Sequence, residues 1–202
     1  MPGAPSRRCT LSMPTVATGP FWVEHFQDGV AYSVKHLHPV FVDFVVPAVA
    51  PKKNKPGRAE MDVKLRFVYS HHCFTQALDK NPGADPSRHY SCTKRPNDSR
   101  VFCAIRWAES FALPGIVTGL QNCYFTRQDN FFVWRNPTNP ALDEYFVYFD
   151  VKRRSNHVEI EIQSAYPRAD AADAKKGAQR VSFVTLIVNA LMGRPTHRPP
   201  GP

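Results

Sequence analysis

The chain is 202 residues long, 43% hydrophobic and 12% aromatic, enough to build one domain around its own core, which excludes wholesale disorder. Lys and Arg number 26 against 17 Asp and Glu, a net charge of +9 that favours a polyanionic partner, with nucleic acid ahead of an acidic inhibitor or partner protein. Nineteen prolines and ten glycines argue against a helical bundle or coiled coil, and no apolar run reaches the roughly 20 residues needed to span a bilayer.

Residues 1–20 and 195–202 are rich in Pro, Gly and small residues and are expected to be flexible tails around a single domain, 21–194. No continuous apolar segment of the secretory kind follows the two N-terminal arginines. Val34–Val49 is a β-branched run bounded by prolines and predicts a strand, with PKKNKPGR as its basic turn. In the next strand, Met61, Val63, Leu65, Phe67 and Tyr69 alternate with Asp62, Lys64 and Arg66, so one face is apolar and the other basic. A helical turn is expected over His71–Leu78, then a long polar loop to Arg100. The run Val101–Trp107, apolar except for Arg106, predicts a central strand, and Glu109–Gln121 a helix weakened by Pro114 and two glycines.

Two hairpins follow, Cys123–Thr126 with Phe131–Trp134 and Tyr145–Arg153 with Val158–Tyr166, and a closing helix spans Arg180–Gly193. The expected fold is α+β: a twisted, mostly antiparallel sheet of five or six strands with a few short helices.

Residues 51–106 hold twelve Lys and Arg against five Asp and Glu, so +7 of the +9 lies there. Lys64, Arg66, Arg88, Lys94 and Arg95 are candidate phosphate contacts. His89 and Tyr90, with Phe74 and Tyr69, supply rings suited to stacking on unpaired bases. A plain solvated surface accounts for the same charge. His89-x-x-Cys92 has the spacing of a zinc half-site, with His72 or Cys73 as further ligands, and Cys73 beside His72 is a formal nucleophile pair. Against zinc, there is no C-x-x-C pair, and Cys103 and Cys123 read as core residues. No metal or cofactor is therefore expected. Five cysteines, an odd number, point to a reducing cytosol, bacterial, phage or host. Phosphate-binding glycine motifs, G-x-S-x-G and H-E-x-x-H are all absent.

The stretch Glu159–Pro167 places Val158, Ile160, Ile162 and Ser164 on one face by period-two counting and ends Ser164-Ala165-Tyr166-Pro167. Left to itself, Ser164 reads as a strand-end hydroxyl bonded to nearby backbone. A final strand ending in hydroxyl, small, aromatic and proline residues resembles the closing motif of the toxin-like ribonucleases of the barnase, EndoU, colicin and RelE-like fold. The resemblance covers about His71 to Pro167. It implies an active site on the open face of a four-stranded antiparallel sheet, with Ser164 and Tyr166 in the terminal motif and Arg106 as an arginine on an earlier strand. The histidine is His71 or His72.

The chemistry agrees with that set without the family. Metal-free RNA cleavage needs a base for the 2′-hydroxyl, an acid for the departing 5′-oxygen and a cation on the phosphate. Arg106 supplies the cation unless it pairs with Glu109 or Asp150. Ser110 and Thr126 are candidate phosphate donors unless they serve as a helix cap and a turn hydroxyl. The expected activity is a metal-independent endoribonuclease of toxin or phage-effector type. The alternative is a non-catalytic module, zinc-stabilised or not, that binds nucleic acid or protein through the same basic face.

Overall fold

The computed structural model describes residues 15–16, 24–54, 56–79, 83, 85, 89–90, 97–120, 122–125, 130–134, 144–168, 175–176 and 178–197. In chain order the strands are β1 (Thr15–Val16), β2 (Glu24–Gln27), β3 (Val30–Ser33), β4 (Val40–Val46), β5 (Met61–Tyr69), β6 (Thr75–Ala77), β7 (His89–Tyr90), β8 (Arg100–Phe102), β9 (Asn122–Phe125), β10 (Asn130–Trp134), β11 (Glu144–Arg153), β12 (Val158–Arg168) and β13 (Gln179–Ser182). The helices are α1 (Ala104–Ser110), α2 (Leu113–Thr118) and α3 (Phe183–Leu191). The protein is α+β and mostly strand. One sheet of eight strands runs β1-β4-β5-β12-β11-β10-β9-β13, beside a β2–β3 hairpin and a small β6-β8-β7 sheet. This exceeds the expected five or six strands because β1 and β13 add edges of two and four residues.

Side-chain alternation decides which face of the sheet is the core. Val63, Leu65, Phe67 and Tyr69 of β5 are buried, as are Val40, Val42, Phe44 and Val46 of β4 and Tyr145, Val147, Phe149 and Val151 of β11. The ring of Phe183 on α3 meets Phe44 at 5.9 Å and Phe149 at 6.3 Å, so the closing helix covers this face. Each fully buried Leu, Ile or Phe contributes about 1.5–3 kcal/mol. The other face carries charged and aromatic residues. All pairings in the large sheet are antiparallel except β5 with β12, which run parallel from Leu65↔Val158 to Tyr69↔Ile162.

Five local readings change, the first being the closing helix expected over Arg180–Gly193, which begins only at Phe183 because Gln179–Ser182 pairs with β9 as β13. Val34–Val49 is not all strand, since a 3-10 turn at Lys35–Leu37 precedes β4. His71–Leu78 is a 3-10 turn, His71–Cys73, followed by the strand β6. Val101–Trp107 is not a central strand: β8 ends at Phe102, Cys103 takes the extended N-cap position, and Arg106 rides on α1. The good helix formers of AIRWAES outweigh the apolar look of the run, and Ile105 is in fact exposed. The 109–121 helix is two short helices, with Pro114 in the first turn of α2, where its missing N–H costs nothing. No helix among the described residues is long and apolar enough to cross a membrane.

The β2–β3 hairpin had no counterpart in the sequence reading. Asp28 and Gly29 both have positive φ, 52° and 75°, the geometry of a two-residue hairpin turn, so the Asp-Gly pair was its signal.

Candidate active site

β12 outlasts its parallel neighbour, and the site occupies the gap. β5 stops at Tyr69, and the Ser70 N–H still bonds Ile162 O at 2.9 Å before the chain turns away. Ser70 then caps the 3-10 turn by accepting from the His72 N–H at 3.3 Å. On the far side the Cys103 N–H donates to Phe74 O at 3.0 Å, which sets the start of α1. From that helix Arg106 reaches back, its Nη1 donating to Thr75 O at 2.9 Å and to His72 O at 3.3 Å. Its guanidinium carbon lies 4.6 Å from the centre of the Tyr166 ring, a cation–π contact.

The two histidines converge on Asp98. His72 Nε2 is 2.7 Å and His71 Nε2 3.3 Å from Asp98 Oδ2. Because the carboxylate accepts from the His72 Nε2–H, Nδ1 is the basic nitrogen of that ring. Arg100 stands behind the carboxylate, 3.6 Å from Oδ1, with its Nε donating to Thr75 Oγ1 at 2.7 Å. Thr75 Oγ1 passes its own hydrogen to His71 O at 2.8 Å. Burial alone would raise the Asp98 pKa, but the His72 hydrogen bond and the charges of Arg100, His72 and His71 outweigh it and hold the group ionised. Burial, helped by His72 and Arg100, pushes His71 down to about 4. His71 is only 3% exposed and stacks on Tyr90 at 5.7 Å, so His72, the more open of the two, is the one placed to exchange protons.

Ser164 did not stay where period-two counting put it. Tyr148 pairs with Ser164 and Phe149 with Ile162, so Gln163 is an extra, bulged residue. The bulge turns Ala165 inward and moves Ser164 and Tyr166 to the face opposite the Val158–Ile160–Ile162 row. There the Tyr166 ring lies between Arg106 and Tyr148, whose ring is 5.6 Å away and near parallel. Arg106 makes no ion pair with Glu109 or Asp150, and among the described residues its Nε and Nη2 have no protein acceptor.

Several candidate substrate contacts are placed elsewhere. Ser110 is fully buried, donating to Trp107 O at 2.7 Å and meeting His36 Nε2 at 2.7 Å, so it is no phosphate donor. Arg66 pairs with Glu159 at 3.0 Å. Lys64 is exposed but lies five residues before the end of β5, about 17 Å along the strand. His89 is exposed on β7, and Tyr90 packs on His71 and Phe74. Arg88, Cys92, Lys94, Arg95 and Thr126 lie outside the described residues, as does most of the long loop. Cys73 is buried and its thiol pushed up to about 12 by burial, which removes it as nucleophile and as ready zinc ligand.

Asp98, Arg100 and Thr75 were missed. The available signal was the Asp98-x-Arg100 spacing leading into β8, which puts both side chains on one side of an extended chain. Ligand atoms of His71, His72 and Asp98 lie within 4.8 Å of one another and, among the described residues, are the one set able to hold a metal. Arg100, 3.6 Å from the other Asp98 oxygen, places a like charge beside any cation held there and already shares its only carboxylate.

Fold and site together define an α+β protein with a His–Asp pair, an arginine and a tyrosine gathered where two parallel strands separate. The chain belongs to the YjaZ family, which it matches over residues 20–191. No curated protein and no solved structure matches it.

Proposed function

We propose that this protein is a metal-independent endoribonuclease of toxin or phage-effector type that cleaves RNA by attack of a 2′-hydroxyl on the adjacent phosphate. One observation carries the reading. A histidine oriented by a carboxylate at 2.7 Å has its backbone carbonyl bonded at 3.3 Å by an arginine that has no carboxylate partner among the described residues and lies against a tyrosine ring at 4.6 Å. That is a base, an anion-holding cation and a hydroxyl acid in one place.

In the proposed reaction, His72 Nδ1 takes the 2′-hydroxyl proton, and Asp98 stabilises the imidazolium that results. Arg106 places its Nε and Nη2 hydrogens on the non-bridging oxygens. The 2′-oxygen forms a bond to phosphorus as the bond to the 5′-oxygen breaks. Tyr166 gives its phenolic proton to that oxygen and recovers one from water. Ser164 lies two residues back on the same face, where its hydroxyl helps to place the phosphate. The products are a 2′,3′-cyclic phosphate and a 5′-hydroxyl.

The test is incubation of the purified protein with several RNA classes in EDTA, followed by end-group analysis. Cleavage giving cyclic phosphate ends, lost in His72→Ala and in Arg106→Ala, is the expected result. Binding without cleavage by a folded wild-type protein would defeat the enzyme reading in favour of a non-catalytic nucleic-acid module.

A further inference from the structure

On the sheet face opposite the core, one row of residues leads away from the candidate site. Directly paired residues share a face, and the registers run Ser164↔Tyr148, Tyr148↔Phe131, Phe131↔Tyr124 and Tyr124↔Arg180. The row therefore crosses β12, β11, β10, β9 and β13, starting beside the gap that β5 leaves. Four steps between strands put Arg180 about 19 Å from Ser164. The rings touch along it, Tyr148 against Phe131 at 5.6 Å and Phe131 stacked on Tyr124 at 4.9 Å with 11° between planes. At the site end, Tyr148 stacks on Tyr166 at 5.6 Å, and Arg106 closes the series at 4.6 Å. The far end is open. Tyr124 is half-buried, and among the described residues no ring or cation other than Phe131 stacks on it. Arg180 is exposed on the edge strand and has no acidic partner among those residues. The two acids that flank the row on β11 are already paired, Glu144 with Lys175 at 2.7 Å and Asp150 with His197 at 2.9 Å.

We infer that Tyr124 and Arg180 form a remote nucleotide subsite, where an unpaired base stacks on the uncovered face of Tyr124 and its phosphate meets the Arg180 guanidinium. The inference rests on the ribonuclease reading for the class of ligand, an RNA strand that enters the site at Arg106 and follows the row outward. A ring with one face covered and one open takes a flat π-system, and the neighbouring cation selects one that carries negative charge. A duplex keeps its bases stacked inside and cannot offer one to Tyr124. The +9 net charge draws in any polyanion, so the subsite is separated from that general attraction by position and by the ring.

The probe is a single-stranded RNA dodecamer with 2′-O-methyl groups throughout, which cannot be cut by 2′-hydroxyl attack, and binding is read by fluorescence anisotropy over a salt series. Arg180→Ala is expected to weaken binding about fivefold and to lower the salt slope by about 0.7. Tyr124→Leu is expected to weaken it about tenfold with the slope unchanged. Lys53→Gln removes the same charge from the exposed turn between β4 and β5 and should change neither. A loss in Arg180→Ala no larger than that in Lys53→Gln overturns the inference, because net charge alone would then set affinity. Equal affinity for the duplex of the same sequence overturns it too, as does a nucleoside monophosphate that displaces the strand as well as the dodecamer itself, which would mark a free-nucleotide site. Unmodified RNA separates the two readings. Row-dependent binding without cleavage leaves the subsite standing and removes the enzyme, whereas cleavage with wild-type binding in Arg180→Ala and Tyr124→Leu removes the subsite alone.

Discussion

His36 shows what a single partnerless nitrogen does. Its Nε2 meets Ser110 Oγ at 2.7 Å, its ring stacks on Phe111 at 3.8 Å, and its Nδ1 is buried with no hydrogen-bond partner. A proton on Nδ1 would have nowhere to point, and burial holds the pKa down to about 4 from 6.5. The unfolded chain therefore takes up the proton first as pH falls. Stability from the neutral ring is complete above about 6.5, is lost progressively toward pH 4, and amounts to about 2 kcal/mol after screening. His71, held near 4, has the same sign. Urea midpoints should fall between pH 7 and pH 5 in wild type and fall less in His36→Gln; equal losses would remove His36 from the account. On the ribonuclease reading proposed above, Asp98→Asn should lower cleavage roughly 100-fold, because His72 loses the group that fixes its tautomer. A wild-type rate in that variant would exclude the His72–Asp98 pair. Single residues of this kind were only partly legible in the text. His72, Arg106, Ser164 and Tyr166 stood out by type, whereas Asp98 looked like one more acid in a polar loop until folding set it between two rings.

At the scale of elements, periodicity found β5, β10 and β11 nearly to the residue, because half-buried strands write their two faces into alternate positions. It failed wherever burial and type part company. Ile105 and Ala108 are apolar yet face outward on α1, and the count along β12 broke at Gln163, whose side chain donates to Asp150 Oδ2 at 2.6 Å. A bulge has no signature in a single sequence. Deleting Gln163 should close the bulge and leave Ile162 opposite Phe149 and Ser164 opposite Tyr148, so Ser164 and Tyr166 keep their face and Ala165 stays inward, at a cost of about 1 kcal/mol for the lost bond to Asp150. A fall in the denaturation midpoint worth several kcal/mol would mean instead that the register on the Tyr166 side of the bulge is lost with Gln163. The α3 terminus offers a milder check. Ser182 Oγ accepts from the Thr185 N–H at 3.1 Å, and Ser182→Ala should cost about 1 kcal/mol by thermal melting.

For the whole molecule, the +9 charge has a direct consequence if RNA is the partner. Log affinity should fall linearly with log salt, with a slope of about 0.7 for each phosphate neutralised on a single strand. A flat response in a filter-binding series would end the polyanion reading. Fold class was legible from proline content and alternating runs, but strand order was not, because pairing between distant segments leaves no local trace. The parallel contact of β5 with β12 is such a pairing, and it bears on the timing of synthesis. Leu65 must wait for Val158, so His72, Asp98 and Arg106 are all made well before the strand that carries Tyr166. Long-range closure of this kind comes late in folding. On the ribonuclease reading proposed above, a nascent chain still short of β12 holds the base and the cation without the acid, and the site is completed only when Tyr166 has been made and β12 has paired with β5.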